Sequence, residues 1–259
     1  MSLPRTIKLA IGKALASTLP RTVLRGLVAR LCERDPKILL HGIASVLTRE
    51  RSLDTMPVDL PTDGPLSFEH LAGLFASTSL DHGVISMPIR QAAYLFGLVR
   101  QMKPAKVIEI GRFRGGSTLV IAAALNGQGQ FWSIDIGAGR GALETSRSVE
   151  DMLRDLCKRH GLTVELLVAD SRTVELDTGE VDLVFIDGDH SYEGARNDFE
   201  RFGNRVCVGG ALLFDDAMDE GAFNQRKAGV GQLVEEVRAG SEFRLVRSVN
   251  RLAHFERLR

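Results

Sequence analysis

A long hydrophobic run is missing from this sequence of 259 residues. No stretch approaches the roughly 18 consecutive apolar residues of a membrane-spanning helix, and Lys8 and Lys13 interrupt the apolar N-terminal segment. We therefore expect neither a spanning helix nor a secretory signal. Cysteine is scarce, because only Cys32, Cys157 and Cys207 occur and none forms a CxxC pair. This argues against a zinc module or a disulfide scaffold and predicts a cytoplasmic protein.

An excess of charge is also missing. The 33 Lys and Arg residues balance 33 Asp and Glu residues, which argues against nucleic acid as a partner. The hydrophobic content of 44% and the charged content of 25% are ordinary for a globular protein. The length suffices for one large α/β domain, or for such a domain with a small appendage.

Charge is nevertheless unevenly distributed along the chain. Residues 1–50 carry nine basic and three acidic residues, and Pro20 separates two amphipathic helical patterns. We predict a basic helical extension and linker over residues 1–66, followed by the main domain over residues 67–259. Packing of these helices on the main domain or on a second subunit, within a homo-oligomer, is the favoured interpretation. Contact with a membrane surface and organelle targeting are the alternatives.

Five short apolar runs alternate with helical patterns after Pro104. They lie at 107–111, 131–136, 164–170, 181–187 and 211–216. Strands that are apolar on both faces and separated by helices predict a doubly wound, mostly parallel Rossmann-like α/β sheet. Two further apolar segments flank residues 248–250 and predict an antiparallel hairpin at one edge.

A helix is predicted before the first of these strands. Ser86 is its expected N-cap, and the apolar positions expected on its buried face are Ile89, Ala92, Ala93, Phe96 and Val99.

Acidic residues stand at or near the carboxyl end of every predicted strand of the parallel set. They are Glu109, Asp135, Asp170, Asp187 and the pair Asp215 and Asp216. Ligands bind open α/β sheets at this edge, so these side chains should converge on one crevice. A single acid in such a place is often only a helix cap or a turn former. Five positions together favour a binding site.

A glycine loop follows the first strand. Gly111, Gly115 and Gly116 lead into a helix that is expected to start near Ser117. Glycines allow close approach of a ligand, and a helix N-terminus favours an anionic group. The spacing differs from the GxGxxG fingerprint of dinucleotide-binding proteins, which disfavours a nicotinamide-dependent oxidoreductase.

The motifs VIEIGRFRGGST, FWSIDIG, FIDGDHSYEGARNDFERF and GGALLFDDA together resemble those of class I S-adenosylmethionine (SAM) methyltransferases. Within that superfamily they are similar to the metal-assisted small-molecule O-methyltransferases of the catechol, macrolide-sugar and cephalosporin-biosynthesis types. The resemblance covers roughly residues 84–256 and implies SAM as the cofactor. It implies that the loop with Glu109, Gly111, Gly115, Gly116 and Ser117 binds the methionine part of SAM. It further implies that Asp135 binds the ribose hydroxyls and that Asp170 and Ser171 lie near the adenine.

The second half of the resemblance concerns catalysis. Three gathered carboxylates would repel one another without a cation, and oxygen ligands suit Mg²⁺, or Mn²⁺ as a substitute. The resemblance implies Asp187, Asp215 and Asp216 as metal ligands. His190, three residues after Asp187, is implied as the general base, because an imidazole can take the proton of an acidified hydroxyl.

The expected function is O-methylation of a small-molecule hydroxyl, of a sugar or another natural product, with residues 218–229 as a loop over the substrate. A metal-independent methyltransferase is one alternative. A non-catalytic module that binds SAM or a small molecule, tethered by the N-terminal helices, is another.

Overall fold

The computed structural model describes residues 60–75, 85–137, 149–217 and 228–259. Residues 1–59 and 218–227, which hold the predicted N-terminal helices and most of the predicted substrate loop, lie outside the described residues. The described helices are α1 (Phe68–Leu71), α2 (Ile89–Met102), α3 (Gly116–Leu125), α4 (Val149–Arg159), α5 (Tyr192–Arg201) and α6 (Ala228–Ala239). The strands are β1 (Lys106–Ile110), β2 (Gln130–Asp135), β3 (Glu165–Val168), β4 (Val181–Ile186), β5 (Val206–Phe214), β6 (Phe243–Val249) and β7 (Leu252–Arg257).

The seven strands form one sheet in the order β3-β2-β1-β4-β5-β7-β6. Strands β1 to β5 pair in parallel, whereas β7 runs antiparallel to both β5 and β6. The hairpin of β6 and β7 turns at Asn250, whose φ of 53° lies in the left-handed region. The predicted doubly wound sheet and its C-terminal antiparallel hairpin are therefore confirmed.

Helices cover both faces of this sheet. In β4, Leu183 and Phe185 pack into a core with residues of α2, α3 and α4. Their neighbours Val184 and Ile186 pack into a second core with residues of α5 and α6. Successive side chains of a strand point to opposite faces, so a strand covered on both sides must be apolar at every position. This requirement explains the continuous apolar runs in the sequence.

Helix α2 differs from its prediction at its start and on one face. The N-cap is Pro88, whose carbonyl accepts hydrogen bonds from the backbone N–H groups of Gln91 and Ala92, so Ser86 is not the cap. Proline already has a φ suited to a helix start, and it restricts the residue before it to extended conformations. Ile89 and Ala93, predicted to be buried, are exposed; the buried residues of α2 are Gln91, Ala92, Leu95 and Val99.

Within the described residues, the structure contains no helix with the length and apolar character needed to cross a membrane.

Candidate active site

A cavity of about 710 Å³ opens at the carboxyl edge of the parallel strands. Ten of the predicted site residues line it, namely Gly111, Gly116, Ser117, Asp135, Asp170, Ser171, Asp187, His190, Asp215 and Asp216. Its volume lies within the usual range of small-molecule sites. The expected convergence of the strand-end acids is therefore seen for every position except Glu109, which does not line the cavity.

The glycine loop after β1 passes very close to the end of β4. Gly111 has a φ of 87°, and a Cβ atom at this position would lie 2.0 Å from the carbonyl oxygen of Asp187. Gly115, with a φ of 83°, is the N-cap of α3. Only glycine adopts both conformations without strain, so these residues set the path of the loop. The loop brings the N-terminus of α3, at Gly116 and Ser117, to the cavity wall.

Glu109 lies beneath this loop rather than in the cavity. Its side chain is fully buried in β1 and accepts hydrogen bonds from the hydroxyls of Thr118 and Ser133. Burial raises the pKa of Glu109, and these hydroxyl contacts oppose that rise. The carboxyl group thus ties β1 to β2 and α3 under the loop, and its contact with a cofactor stays a prediction.

Asp135 supports the loop from the end of β2. Its Oδ2 accepts hydrogen bonds from the backbone N–H groups of Arg112 and Phe113, both at 2.9 Å, and its Oδ1 accepts one from Gly137 at 2.6 Å. Arg112 is almost fully buried and donates to the carbonyl oxygen of Ser133 at 2.6 Å. Asp135 lines the cavity as well, so one carboxylate shapes the loop and borders the space where a ligand would lie.

Asp170 and Ser171 occupy the cavity wall after β3. The guanidinium of Arg172 binds the Asp170 carboxylate at distances down to 2.6 Å and lowers the pKa of Asp170 to about 2. Asp198 of α5, which the sequence did not single out, lies buried on the same wall, where burial raises its pKa and a Ser171 hydrogen bond opposes the rise. The sequence pattern offered no signal for Asp198, since it occupies an ordinary helix position.

A turn brings both members of the Asp215–Asp216 pair to the cavity. Asp216 has a φ of 53°, so the chain leaves the extended strand geometry that would direct successive side chains to opposite faces. The backbone N–H of Asp216 donates to Asp215 Oδ1 at 2.7 Å. Gln91 Nε2 of α2 donates to the same oxygen at 2.7 Å. Both carboxyl groups are about 95% buried.

His190 lies between two carboxylates. Its Nδ1 is 2.8 Å from Asp216 Oδ2, and its Nε2 is 3.6 Å from Asp187 Oδ1. These contacts with Asp187 and Asp216 raise the pKa of His190 and so favour its protonated form. Burial and the nearby charge of Asp215 raise the pKa of Asp187.

The other oxygen of Asp216 is also engaged by a cation. Arg251, in the turn between β6 and β7, places Nη1 at 2.7 Å from Asp216 Oδ1. Its backbone carbonyl accepts a hydrogen bond from Ala217 at 2.8 Å, which fixes the turn against the end of β5. Both oxygens of Asp216 therefore contact basic side chains, those of His190 and Arg251.

The chemistry of this donor set suits a hard divalent cation, because three carboxylates converge and repel one another. In the part of the chain that the structure describes, however, no three or more His, Cys, Asp or Glu side chains are arranged as a metal site. His190 and Arg251 each contact one oxygen of Asp216. A cation that used all three carboxylates would share the oxygens of Asp216 with these partners or displace one of them.

The cavity also suits SAM. A helix N-terminus with two glycines in the preceding loop can approach the carboxylate of a methionine group, and Asp135 offers a carboxylate to hydroxyl donors. Gln91 and Arg251 are contributors that the sequence analysis missed. The signal available for Gln91 was its position, because it is a polar residue on the apolar face of α2. Arg251 had none, because a single arginine in a turn is unremarkable.

Comparison with known proteins identifies the domain. Residues 108–217 match a protein family described as a methyltransferase domain. The chain is 38% identical over 60 residues to protein R132 of Acanthamoeba polyphaga mimivirus, a match that spans 23% of this chain and 27% of that protein. It is 28% identical over 184 residues to a candidate caffeoyl-CoA O-methyltransferase of Arabidopsis thaliana, covering 68% of this chain and 75% of that one.

Solved structures agree at the level of the fold. The O-methyltransferase TomG from Streptomyces achromogenes, which is involved in tomaymycin synthesis and was solved in complex with SAM, superposes with a TM-score of 0.51. The aligned region covers 82% of this chain and 99% of TomG at 18% sequence identity. The family match over residues 108–217, the order of the seven strands and the cavity at their carboxyl edge support a class I SAM-dependent methyltransferase.

Proposed function

We propose that this methyltransferase transfers the methyl group of SAM to a hydroxyl of a small molecule, such as a sugar or another natural product, with His190 as the general base. The observation that carries the proposal is the position of His190. It stands in the same cavity as the glycine loop and Asp135, with 40% of its side chain exposed and Asp187 and Asp216 beside it. The names of the Arabidopsis and Streptomyces relatives, both O-methyltransferases, support a hydroxyl acceptor.

In the proposed reaction, the acceptor hydroxyl gives its proton to Nε2 of His190. The oxygen then forms a bond to the methyl carbon as the bond between that carbon and sulfur breaks, which yields a methyl ether and S-adenosylhomocysteine. The work of the protein is to hold oxygen, carbon and sulfur in line. The glycine loop and Asp135 would hold the cofactor, and His190 would orient the acceptor from the opposite side.

His190 can act as a general base only if another positively charged group binds the neighbouring carboxylates of Asp187 and Asp216. The contacts with Asp187 and Asp216 raise the pKa of His190 and favour its protonated form, which cannot accept a further proton. Mg²⁺ or Mn²⁺ held by Asp187, Asp215 and Asp216 would withdraw their negative charge from His190 and acidify a nearby hydroxyl. We therefore include divalent-metal assistance in the proposal.

A metal-independent methyltransferase is the second candidate. One observation favours it: His190 and Arg251 already neutralise Asp216, so the cluster has positive partners of its own. In that version His190 alone would act as the base, and it would first have to release the proton that Asp187 and Asp216 help it to hold. We also retain a homo-oligomer and a cytoplasmic location as proposals, with membrane contact of the N-terminal helices as the less favoured alternative.

The test is an assay for S-adenosylhomocysteine with the full chain, SAM and a panel of catechols and glycosylated polyketides, in Mg²⁺ and in EDTA. We expect turnover that EDTA abolishes and that His190→Gln lowers at least about 100-fold, while SAM binding persists. The control Asp182→Asn alters a carboxylate at the opposite edge of the sheet, where it accepts from the N–H of Lys106. Full turnover in EDTA would favour the metal-independent methyltransferase. Full turnover by the His190→Gln variant would show that His190 is not the general base.

A further inference from the structure

Arg251 brings a positive charge into the carboxylate cluster from a part of the chain remote from the other cluster residues. Its guanidinium lies 2.7 Å from Asp216 Oδ1, with one quarter of the arginine side chain and 5% of the aspartate side chain exposed. The hydrogen bond from Ala217 to the Arg251 carbonyl fixes this position through the backbone. The ion pair is therefore a part of the site rather than a chance surface contact.

The charges of the cluster show what this arginine does. Asp187, Asp215 and Asp216 provide three carboxyl groups within one cavity wall, and the basic side chains of Arg251 and His190 both contact Asp216. A buried carboxylate without a partner is costly, so the guanidinium stabilises the cluster when no metal ion is bound. The same guanidinium would repel a divalent cation bound to the same aspartate.

We propose that Arg251 is an exchangeable counter-cation: it holds Asp216 in the metal-free site, competes with a divalent cation for this carboxylate, and thereby weakens the affinity for that cation. The inference rests on the metal site of the proposed function. It adds that metal affinity is set by the turn between β6 and β7, in addition to the carboxylates. Arg251 acts here as a positioning residue, since its effect passes through Asp216.

The experiment is a titration of Mn²⁺ into the full chain, with free Mn²⁺ measured by electron paramagnetic resonance. We expect Arg251→Gln to bind Mn²⁺ at least about tenfold more tightly than the wild type, because one nearby charge alters the affinity for a bound cation by this factor or more. Arg251→Lys, which keeps the charge, should remain near the wild type. Arg244→Gln is the matched control, since it removes an arginine of the same hairpin that pairs with Glu256 at 2.6 Å.

A second readout is thermal unfolding. In EDTA, Arg251→Gln should unfold at a lower temperature than the wild type, because Asp216 loses a partner. Saturating Mn²⁺ should raise the unfolding temperature of the variant by more than it raises that of the wild type. A merely structural role for Arg251 would lower the unfolding temperature in both conditions and leave Mn²⁺ affinity unchanged or weaker.

Three results would overturn the inference. They are an unchanged or weaker Mn²⁺ affinity in Arg251→Gln, an equal tightening in Arg251→Lys or Arg244→Gln, and no Mn²⁺ binding by the wild type and the variant alike. The first two leave metal-assisted methyl transfer intact, because the wild type still binds the metal. Conversely, a tenfold tightening without any methyl transfer would support the role of Arg251 and count against the proposed function.

Discussion

Gln91 Nε2 donates a hydrogen bond to Asp215 Oδ1 at 2.7 Å, although the two residues are 124 positions apart in the sequence. Gln91 is fully buried on α2, and its Oε1 atom has no hydrogen-bond partner among the described residues. The hydrogen bond from its amide nitrogen therefore offsets only part of the free-energy cost of burying this polar side chain. The contact joins α2 to the end of β5 and fixes one of the predicted metal ligands.

The first prediction concerns this hydrogen bond. Gln91→Leu keeps most of the side-chain volume but leaves the buried Asp215 without its donor from α2, so we expect the free energy of unfolding to fall by about 1–3 kcal/mol. Urea denaturation measures this change. Gln101→Leu is the control, because Gln101 lies on the exposed side of the same helix. Equal stability of the two variants would show that the Gln91 contact contributes nothing.

The second prediction concerns Asp135. Asp135→Asn exchanges one oxygen for an NH₂ group in a carboxylate that accepts three backbone N–H donors, so the loop loses at least one contact. We expect the Kd for SAM to rise at least about tenfold, since a hydrogen bond to a charged group contributes about 1.5–3 kcal/mol. Calorimetric titration with SAM measures this.

Asp182→Asn is the control for the Asp135 variant. Asp182 also accepts a backbone N–H, from Lys106 at 2.8 Å, but at the end of the sheet opposite the cavity. This variant should lose stability and keep its SAM affinity. A similar loss of affinity in both would attribute the effect to general destabilisation.

The third prediction concerns the close approach of the glycine loop to β4. Gly111→Ala would place a Cβ atom 2.0 Å from the Asp187 carbonyl oxygen, in a residue with a φ of 87°. Backbone atoms cannot move aside easily, so we expect a loss of more than about 2 kcal/mol in unfolding free energy, together with weaker SAM binding. Gly161→Ala is the control, because Gly161 has a φ of 63° but open space around it. The control should show only the backbone strain, about 1–2 kcal/mol.

Hydropathy patterns predicted most of the fold correctly. The five parallel strands lie where the apolar runs are, because strands covered on both faces leave little room for polar residues. The position of the cavity was also predicted, from the rule that ligands bind open α/β sheets at the carboxyl ends of the strands. The strand order at the β5-β7-β6 edge could not be derived in this way, because no local pattern records which strand neighbours which.

The prediction of the site was less accurate than that of the fold, because it depended on the positions of individual side chains. Glu109 was expected at the cavity with the other strand-end acids, yet Thr118 and Ser133 hold it inside the protein. Arg251 and Gln91 reach the cluster only through tertiary packing, from a turn and a helix that carry no recognisable motif. Contacts of this kind depend on long-range geometry, which local spacing does not encode.

The last prediction concerns the pH dependence of stability through His254. This residue of β7 is buried, and its Nδ1 lies 2.7 Å from the hydroxyl of Tyr94 on α2, so a neutral ring can accept that hydrogen bond. Burial lowers the pKa of His254, and the charge of Glu256 opposes this effect only in part. The folded protein therefore binds a proton at His254 less readily than the unfolded chain, whose histidines titrate near pH 6.5.

The sign of the effect follows from this difference in proton binding. Between the lowered pKa of the folded state and about pH 6.5, the unfolded state binds more protons, so stability rises with pH and falls on acidification. His254 contributes a slope of at most about 1.4 kcal/mol per pH unit in this window. Replacement of His254 by glutamine, which does not titrate, should remove that slope while keeping a polar side chain near Tyr94.

Urea denaturation between pH 5 and pH 8 tests the prediction. The difference in unfolding free energy between the wild type and His254→Gln should shrink as the pH falls below about 6.5. His70→Gln is the control, because it removes a histidine of α1 and leaves His254 in place; it should keep the pH-dependent slope that His254 contributes. A constant difference between the wild type and His254→Gln across the whole range would contradict the prediction, because the buried imidazole would then bind protons equally in the folded and unfolded states.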